Sequence, residues 1–337
     1  MNKQEFCEEI TKVIINKMPS EYNVSMRDIE KNNGIVLTGL IINDGKTNIS
    51  PTIYLDYYFD QYAAGHSIDS LVDEIIEKYN RFSMEDNFDI SVFTDFEQAK
   101  NKLVMKVVNH DSNENLLQNV PHVKYMDLDV VFMVLLESDN LETSSILVRN
   151  AHLDLWGKTP DDLYKIAYKN TKELLGTNIK SLSDVVQELW GKNSAELNTP
   201  FVVEPDPLDP TASMYVITNN IKLYGATNML YDDVLDELAT KLGTDLIIIP
   251  SSVHEVLALP ATIDSDLTYI KELVGEVNST EVDPEDILSN NLYMYNVKAH
   301  KLTDVDTYYK DKEENKSVVD DNAVEPEGPA RHTARHR

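Results

Sequence analysis

Phe6, Ile10, Val13, Ile14 and Met18 recur at helical spacing and Pro19 ends the pattern, which predicts a first helix. Three runs of strand character follow at 22–30, 35–42 and 52–58. Asn32-Asn33-Gly34 and Asn43-Asp44-Gly45 separate them with the residue types of tight hairpins, so a helix followed by an antiparallel meander is expected. Ser67 is placed to cap the next helix, whose Leu71, Val72, Ile75, Ile76 and Tyr79 form one apolar stripe. Residues 103–108 read as another strand.

Polar residues dominate 110–121, which marks a boundary. Beyond it, 128–136 is almost unbroken apolar, the pattern of a central strand covered on both faces, with 146–148 as a candidate neighbour. Thr159-Pro160 opens a helix with Thr as cap and Pro at its first position, and a further helix covers 183–190. The run Glu204-Pro205-Asp206-Pro207-Leu208-Asp209-Pro210 suits neither helix nor central strand and reads as a surface loop or hinge. Strand and helix then alternate: strand 214–218, helix 231–242, strand 245–249, a helix from Ser252, helices at 266–277 and 284–288, and a closing strand at 292–295. Such alternation admits parallel strands. From Thr303 the chain is charged and poor in apolar residues, and disorder is expected. The expected class is α+β: a helix-plus-antiparallel unit over 1–110, a larger mixed α/β unit over 122–302, and a disordered tail over 303–337.

Charge changes the picture of partners. The chain has 58 Asp+Glu against 30 Lys+Arg, a formal net charge of -28. That excess repels phosphate backbones and anionic membranes, so neither nucleic acid nor a membrane is an expected partner. The apolar runs fall short of the ~20 residues that span a bilayer. Glu5, Glu8 and Glu9 make the first residues unlike a signal peptide. The single cysteine, Cys7, excludes an intrachain disulfide and fits a reducing cytoplasm, the expected location. Beside Phe6 and Ile10 it reads as a small packed hydrophobe.

The densest reactive cluster is Ser251-Ser252-Val253-His254-Glu255, at the end of an apolar strand. A strand end is where open α/β sheets place their sites, and Ser, His and Glu together suggest hydrolase chemistry. Ser252 and Glu255, however, have capping-box spacing, and the Gly-x-Ser-x-Gly elbow is missing. His254 remains as the candidate catalytic residue, on the first turn of the expected helix, where the dipole disfavours its protonated form. His152 and Asp154 are a two-residue pair without the third and fourth ligands a metal needs. His110-Asp111 is weaker still. Asp127 and Asp129 lie on one face of the apolar strand and read as protection of a strand edge. Lys158 and Lys192 lack the glycines of a phosphate cradle, and no metal site or cofactor is expected. Tyr54 and Tyr58 share a strand face if the strand continues, and Tyr58 and Tyr62 share a helix face if it converts; the three are a candidate protein-binding patch, and the competing reading is core aromatics of an antiparallel sheet.

Several segments together resemble a family of acidic proteins of unknown function, about three hundred residues long. They are Val36-Leu37-Thr38-Gly39-Leu40, Ile49-Ser50-Pro51-Thr52-Ile53-Tyr54-Leu55, the Tyr58/Tyr62/Gly65 spacing, 145–148 leading to Leu155-Trp156-Gly157, 249–257, and 277–285. The resemblance covers 1–302 and implies an origin in gut Clostridia and relatives, often on integrative mobile elements. It implies no reaction, ligand or catalytic residue. Three functions stay open. The first is a non-enzymatic cytoplasmic protein that binds a protein partner. The second is a hydrolase-like enzyme using His254. The third is an acidic DNA mimic that occupies a nucleic-acid-binding protein.

Overall fold

The computed structural model describes residues 1–47, 50–82, 90–136, 144–193, 214–261 and 266–312. Helix α1 (Lys3–Lys17) begins at a reciprocal cap, in which Asn2 Oδ1 accepts from the Glu5 N–H and Glu5 Oε2 accepts from the Asn2 N–H. The strands β1 (Asn23–Glu30), β2 (Val36–Asn43) and β3 (Thr52–Tyr54) form the expected meander. The third is shorter than its apolar run, because the chain turns helical at Leu55 into α2 (Leu55–Ala63). Helix α3 (Ile68–Phe82) follows, and Ser67 Oγ accepts from the Ser70 N–H as its cap. Phe6, Ile10, Leu40, Ile42, Leu55, Leu71 and Ile75 are fully buried together and make this layer's own core. The apolar stripes of three helices therefore cover one face of the meander.

Two short helices, α4 (Ser91–Thr94) and α5 (Phe96–Ala99), lead to β4 (Leu103–Asn109). After α6 (Glu114–Leu117) come β5 (His122–Tyr125), β6 (Leu128–Leu136) and β7 (Ser144–Leu147). Strand β6 pairs with all three others. Because β4 pairs with β6, the polar stretch 110–121 lies inside one sheet, and the change of core falls between 82 and 103. The apolar run of β6 is covered on both faces: Leu128, Val130, Phe132 and Val134 face one cluster, Val131 and Met133 others.

Helix α7 (Asn150–Trp156) precedes α8 (Pro160–Leu175), which starts at Thr159 in a capping box with Asp162. Helix α8 lies against β4, where Thr171 Oγ1 accepts from the Met105 N–H at 2.8 Å. The third sheet is built from β8 (Asn178–Ser181), β9 (Tyr215–Thr218), β10 (Leu246–Ile249), β11 (Val256–Pro260), β12 (Tyr293–Asn296) and β13 (Lys301–Asp304). Helices α9 (Leu182–Asn193), α10 (Asp232–Leu242) and α11 (Leu267–Thr280) alternate with these strands. Every pairing among the described residues is nonetheless antiparallel, which corrects the parallel strands that the alternation admitted. A large core fills the space between the second and third sheets, and α11 covers the outer face of the third.

Three further expectations are corrected. No helix starts at Ser252: residues 250–255 are the loop of the β10–β11 hairpin, and Ser252 forms an isolated bridge with Ile287. The S-x-x-E spacing is local, and the strand pairing of the alternating Val256–Pro260 segment outweighs it. Residues 284–288 are a turn rather than a helix. The tail does not begin at Thr303, since β13 and a helix over 305–312 continue the fold, with Leu302, Thr303 and Tyr308 buried. Tyr308 donates its hydroxyl to Asp245 at 2.5 Å, a long-range bond invisible to composition. The expected disorder beyond Ser317 and the Pro205–Pro210 hinge lie outside the described residues.

The first layer meets the rest through amide groups. Asn32 Nδ2 donates to the Glu285 carbonyl at 2.7 Å, and Asn33 Nδ2 donates to the carbonyls of Pro284 and Ile287 at 2.8 and 2.7 Å. Asn113 Nδ2 donates to Asn33 Oδ1 at 3.0 Å, and Asn113 Oδ1 accepts from the Asn33 N–H at 2.9 Å.

Candidate functional site

The loop 250–255 places His254 where the three layers meet. Val253 N–H donates to the Asp286 carbonyl, and Leu288 N–H donates to the Ser251 carbonyl, so the loop is stitched to the turn 284–288. Ser252 Oγ accepts from the His254 N–H at 3.0 Å and thereby shapes the loop. Thr218 Oγ1 donates to the His254 carbonyl at 2.7 Å. A Cβ on Gly225 would stand 2.3 Å from that carbonyl and 2.2 Å from Thr218 Oγ1, so only glycine lets the next loop pass this close.

The imidazole is half-buried. Its Nε2 lies 3.3 Å from Asp286 Oδ1, and the Tyr224 N–H points at its Nδ1 over 3.4 Å. Asp286 holds the imidazole pKa above its usual value, against the opposing effect of burial, and His254 in turn holds the Asp286 carboxyl below its usual value. This reverses the helix-dipole expectation, because there is no helix here. The Tyr224 ring lies nearly parallel to the imidazole, with centroids 6.2 Å apart. On its other sides Tyr224 meets Ser145 Oγ at 2.8 Å from its hydroxyl, and the Lys106 ammonium at 5.3 Å from its ring centre. Lys31 completes the junction, 3.8 Å from Glu285 and 4.3 Å from the Tyr54 ring centre.

The pair of His254 with a carboxylate from elsewhere in the chain is what hydrolase chemistry requires of a base and its orienter. The rest of that geometry is different. Both ring nitrogens face groups other than a nucleophile, and the neighbouring Ser252 hydroxyl accepts a backbone bond. The arrangement holds a loop and a charge; it does not present a base to a hydroxyl or thiol.

Tyr58 is buried in the first core with its hydroxyl unpaired, and burial pushes its pKa up to about 12. Tyr62 packs on Phe6 with ring centroids 5.2 Å apart, and Tyr54 lies under Lys31, so the three tyrosines do not share an open face. His152 caps its own helix, accepting from the Arg149 N–H at 3.0 Å, and stacks on Trp156, away from Asp154. Asp127 and Asp129 are not edge guards, because β6 is a central strand. Asp127 binds the hydroxyls of Ser289 and Tyr293 and the amide of Asn291, at 2.7, 2.5 and 2.9 Å. Asp129 is wholly buried and takes His110 Nδ1 on one oxygen at 2.6 Å. A cleft of about 520 Å3 opens beside Asp127, between Met126, Leu267, Lys271, Leu292 and Tyr293. Its polar groups largely satisfy one another, with Lys271 bonded to Asn291 and Asn291 to Asp127.

The sequence pattern flagged His254 but not Lys106 or Tyr224. Lys106 did leave a signal, as the only charged residue in the run Leu103–Asn109. Among the described residues no group of three His, Cys, Asp or Glu side chains is placed to hold a metal ion. No helix among them is long and apolar enough to cross a membrane.

No curated protein and no solved structure matches the chain. A family model described as a family of unknown function (DUF5688) matches residues 3–297, from the first turn of α1 to the end of β12, and the chain belongs to that family.

Proposed function

We propose that the protein works without catalysis, by binding a protein partner on the outer face of α11. The observation that carries this reading is a row of exposed apolar side chains one helical turn apart. Tyr269 is 60% exposed, Leu273 42% and Val277 41%, while Val274 and Asn278, one position further round the helix, are buried. The helix thus has one apolar stripe for the core and a second for solvent, more than packing alone requires. Glu272 and Glu276 are exposed along the row, and Lys271 is tied to Asn291. The matching partner is a basic segment carrying apolar anchors at helical spacing.

The test is affinity purification of the full chain from its host after nuclease digestion, with Leu273→Asp in parallel. The variant is expected to fold as the wild type does and to lose a stoichiometric partner whose retention weakens with salt. A partner kept equally by both proteins, or none, refutes the reading. A nuclease or restriction subunit held through other acidic faces would favour the mimic.

A further inference from the structure

The cleft of about 520 Å3 beside Asp127 opens between two packed clusters. Leu267, Leu292 and Val305 on its walls belong to the outer core of the third sheet, and Met126 borders the large inner one. Its volume is that of a small-molecule site, and it has the apolar walls and few polar groups that such sites carry. Met126 sits at φ 54 in the two-residue turn between β5 and β6, a position that ordinarily takes asparagine or glycine. An apolar residue is kept there against the preference of the backbone, and it forms part of the cleft wall.

Both signs of charge line this cleft, and they do not meet. Lys271 comes from α11, and Asp304 and Asp306 come from the end of β13 and the start of the 305–312 helix. Among the described residues Lys271 forms no ion pair; its ammonium donates to the neutral Asn291 Oδ1 at 2.9 Å. An ammonium has three hydrogens, so two stay free and the charge is not matched. Asp127 is bound by neutral donors, the hydroxyls of Ser289 and Tyr293 and the Asn291 amide. Asp304 accepts from the Thr307 N–H and hydroxyl, at 2.9 and 2.7 Å. The Asp306 carboxylate is exposed and has no hydrogen bond or ion pair among the described residues.

We propose that this cleft binds a free amino acid with an apolar side chain. Opposite charges that line one cleft without touching suit a ligand that carries both signs. The α-carboxylate takes the spare hydrogens of Lys271, the α-ammonium goes to Asp306, and the side chain lies against Met126, Leu267 and Leu292. The acids disfavour a ligand that is only an anion, and Lys271 disfavours one that is only a cation. Leu267 and Lys271 are one turn apart, on a face of α11 roughly opposite Tyr269 and Leu273. The site is therefore separate from the proposed partner face and does not depend on it.

The experiment uses the full chain with L-leucine and L-phenylalanine. Each is compared with two analogues that lack one charge: the amides leucinamide and phenylalaninamide, and the amine-free acids isocaproate and hydrocinnamate. Titration calorimetry and thermal melting are followed together with mass-spectrometric labelling of lysine amines. At ten times its dissociation constant the preferred amino acid should raise the wild-type melting temperature by about 3 °C. It should also slow labelling of Lys271 about tenfold, as occupancy at that concentration requires. Each analogue should bind about tenfold more weakly, the loss expected for one charge-assisted hydrogen bond. Lys271→Met should lose the preference for the amino acid over its amide, and Asp306→Asn the preference over the amine-free acid. Both side chains are exposed, so both variants should melt with the wild type when no ligand is present. No saturable binding of either amino acid, an analogue that binds as tightly as its amino acid, equal binding by wild type and Lys271→Met, or unchanged labelling of Lys271 each overturns the proposal.

Discussion

Replacing His110 with alanine is expected to be among the most damaging single changes outside the apolar cores. Asp129 sits in the central strand β6 with no exposed surface. One of its oxygens is held by His110 Nδ1 at 2.6 Å and the other has no partner. Removing the imidazole leaves a buried carboxylate with nothing to bind. Breaking a buried pair on one side costs about 3–5 kcal/mol. His110 is itself 33% exposed, so water reaches the vacated space and offsets part of the penalty. The expected loss is therefore about 3 kcal/mol, read as a lowered urea midpoint at pH 7. Asp129→Asn in the His110→Ala background removes the stranded charge and should recover about half of it. A loss below about 1 kcal/mol for His110→Ala, or no recovery on adding Asp129→Asn, refutes the argument.

Three other outcomes follow from the same geometry. Gly225→Ala should cost about 3 kcal/mol by denaturation, since its Cβ would overlap the His254 carbonyl and Thr218; a neutral result would mean the loops part easily. Tyr308→Ala should cost about 3–4 kcal/mol, whereas a loss under about 1 would remove the 305–312 helix from the fold. The His254–Asp286 pair predicts a pH window. The raised His254 pKa gives stability present below 6.5 and lost as pH rises through the raised value, and the lowered Asp286 pKa gives stability present above 3.8 and lost as pH falls through the lowered value. Asp286→Asn should therefore destabilise most between those two ordinary values and progressively less above them, and a difference constant from pH 5 to 9 contradicts the pairing.

Legibility followed the range of the interactions. The caps at Ser67 and Thr159 act within three residues, and the helices they start lie where the pattern placed them. The apolar run of β6 announced a strand covered on both faces, because burial of both faces is written residue by residue. The capping box at Ser252 misled because its alternative seats β11 between β10 and β9, and β9 lies some forty residues earlier in the chain. The ordered stretch 303–312 was hidden because few apolar residues carry it, and Tyr308 is anchored by an acid sixty-three positions away. His254 was legible as a reactive type. Its partner Asp286, and the placing of Lys106 and Tyr224 beside it, arise only when three sheets close on one another.

The amide ladder of Asn32, Asn33 and Asn113 has a consequence for how the molecule comes apart. The core beneath α1 and α3 shares no residue with the core beneath α8 and α10, and between the two runs a seam of hydrogen bonds rather than interlocking side chains. Such a seam opens at lower free energy than either core, because water replaces amide bonds more readily than it replaces buried apolar surface. Amide protons in β1–β3 and those in β6 and β10 then exchange through different openings, and the melting of the chain is the sum of two cooperative events, each with its own midpoint.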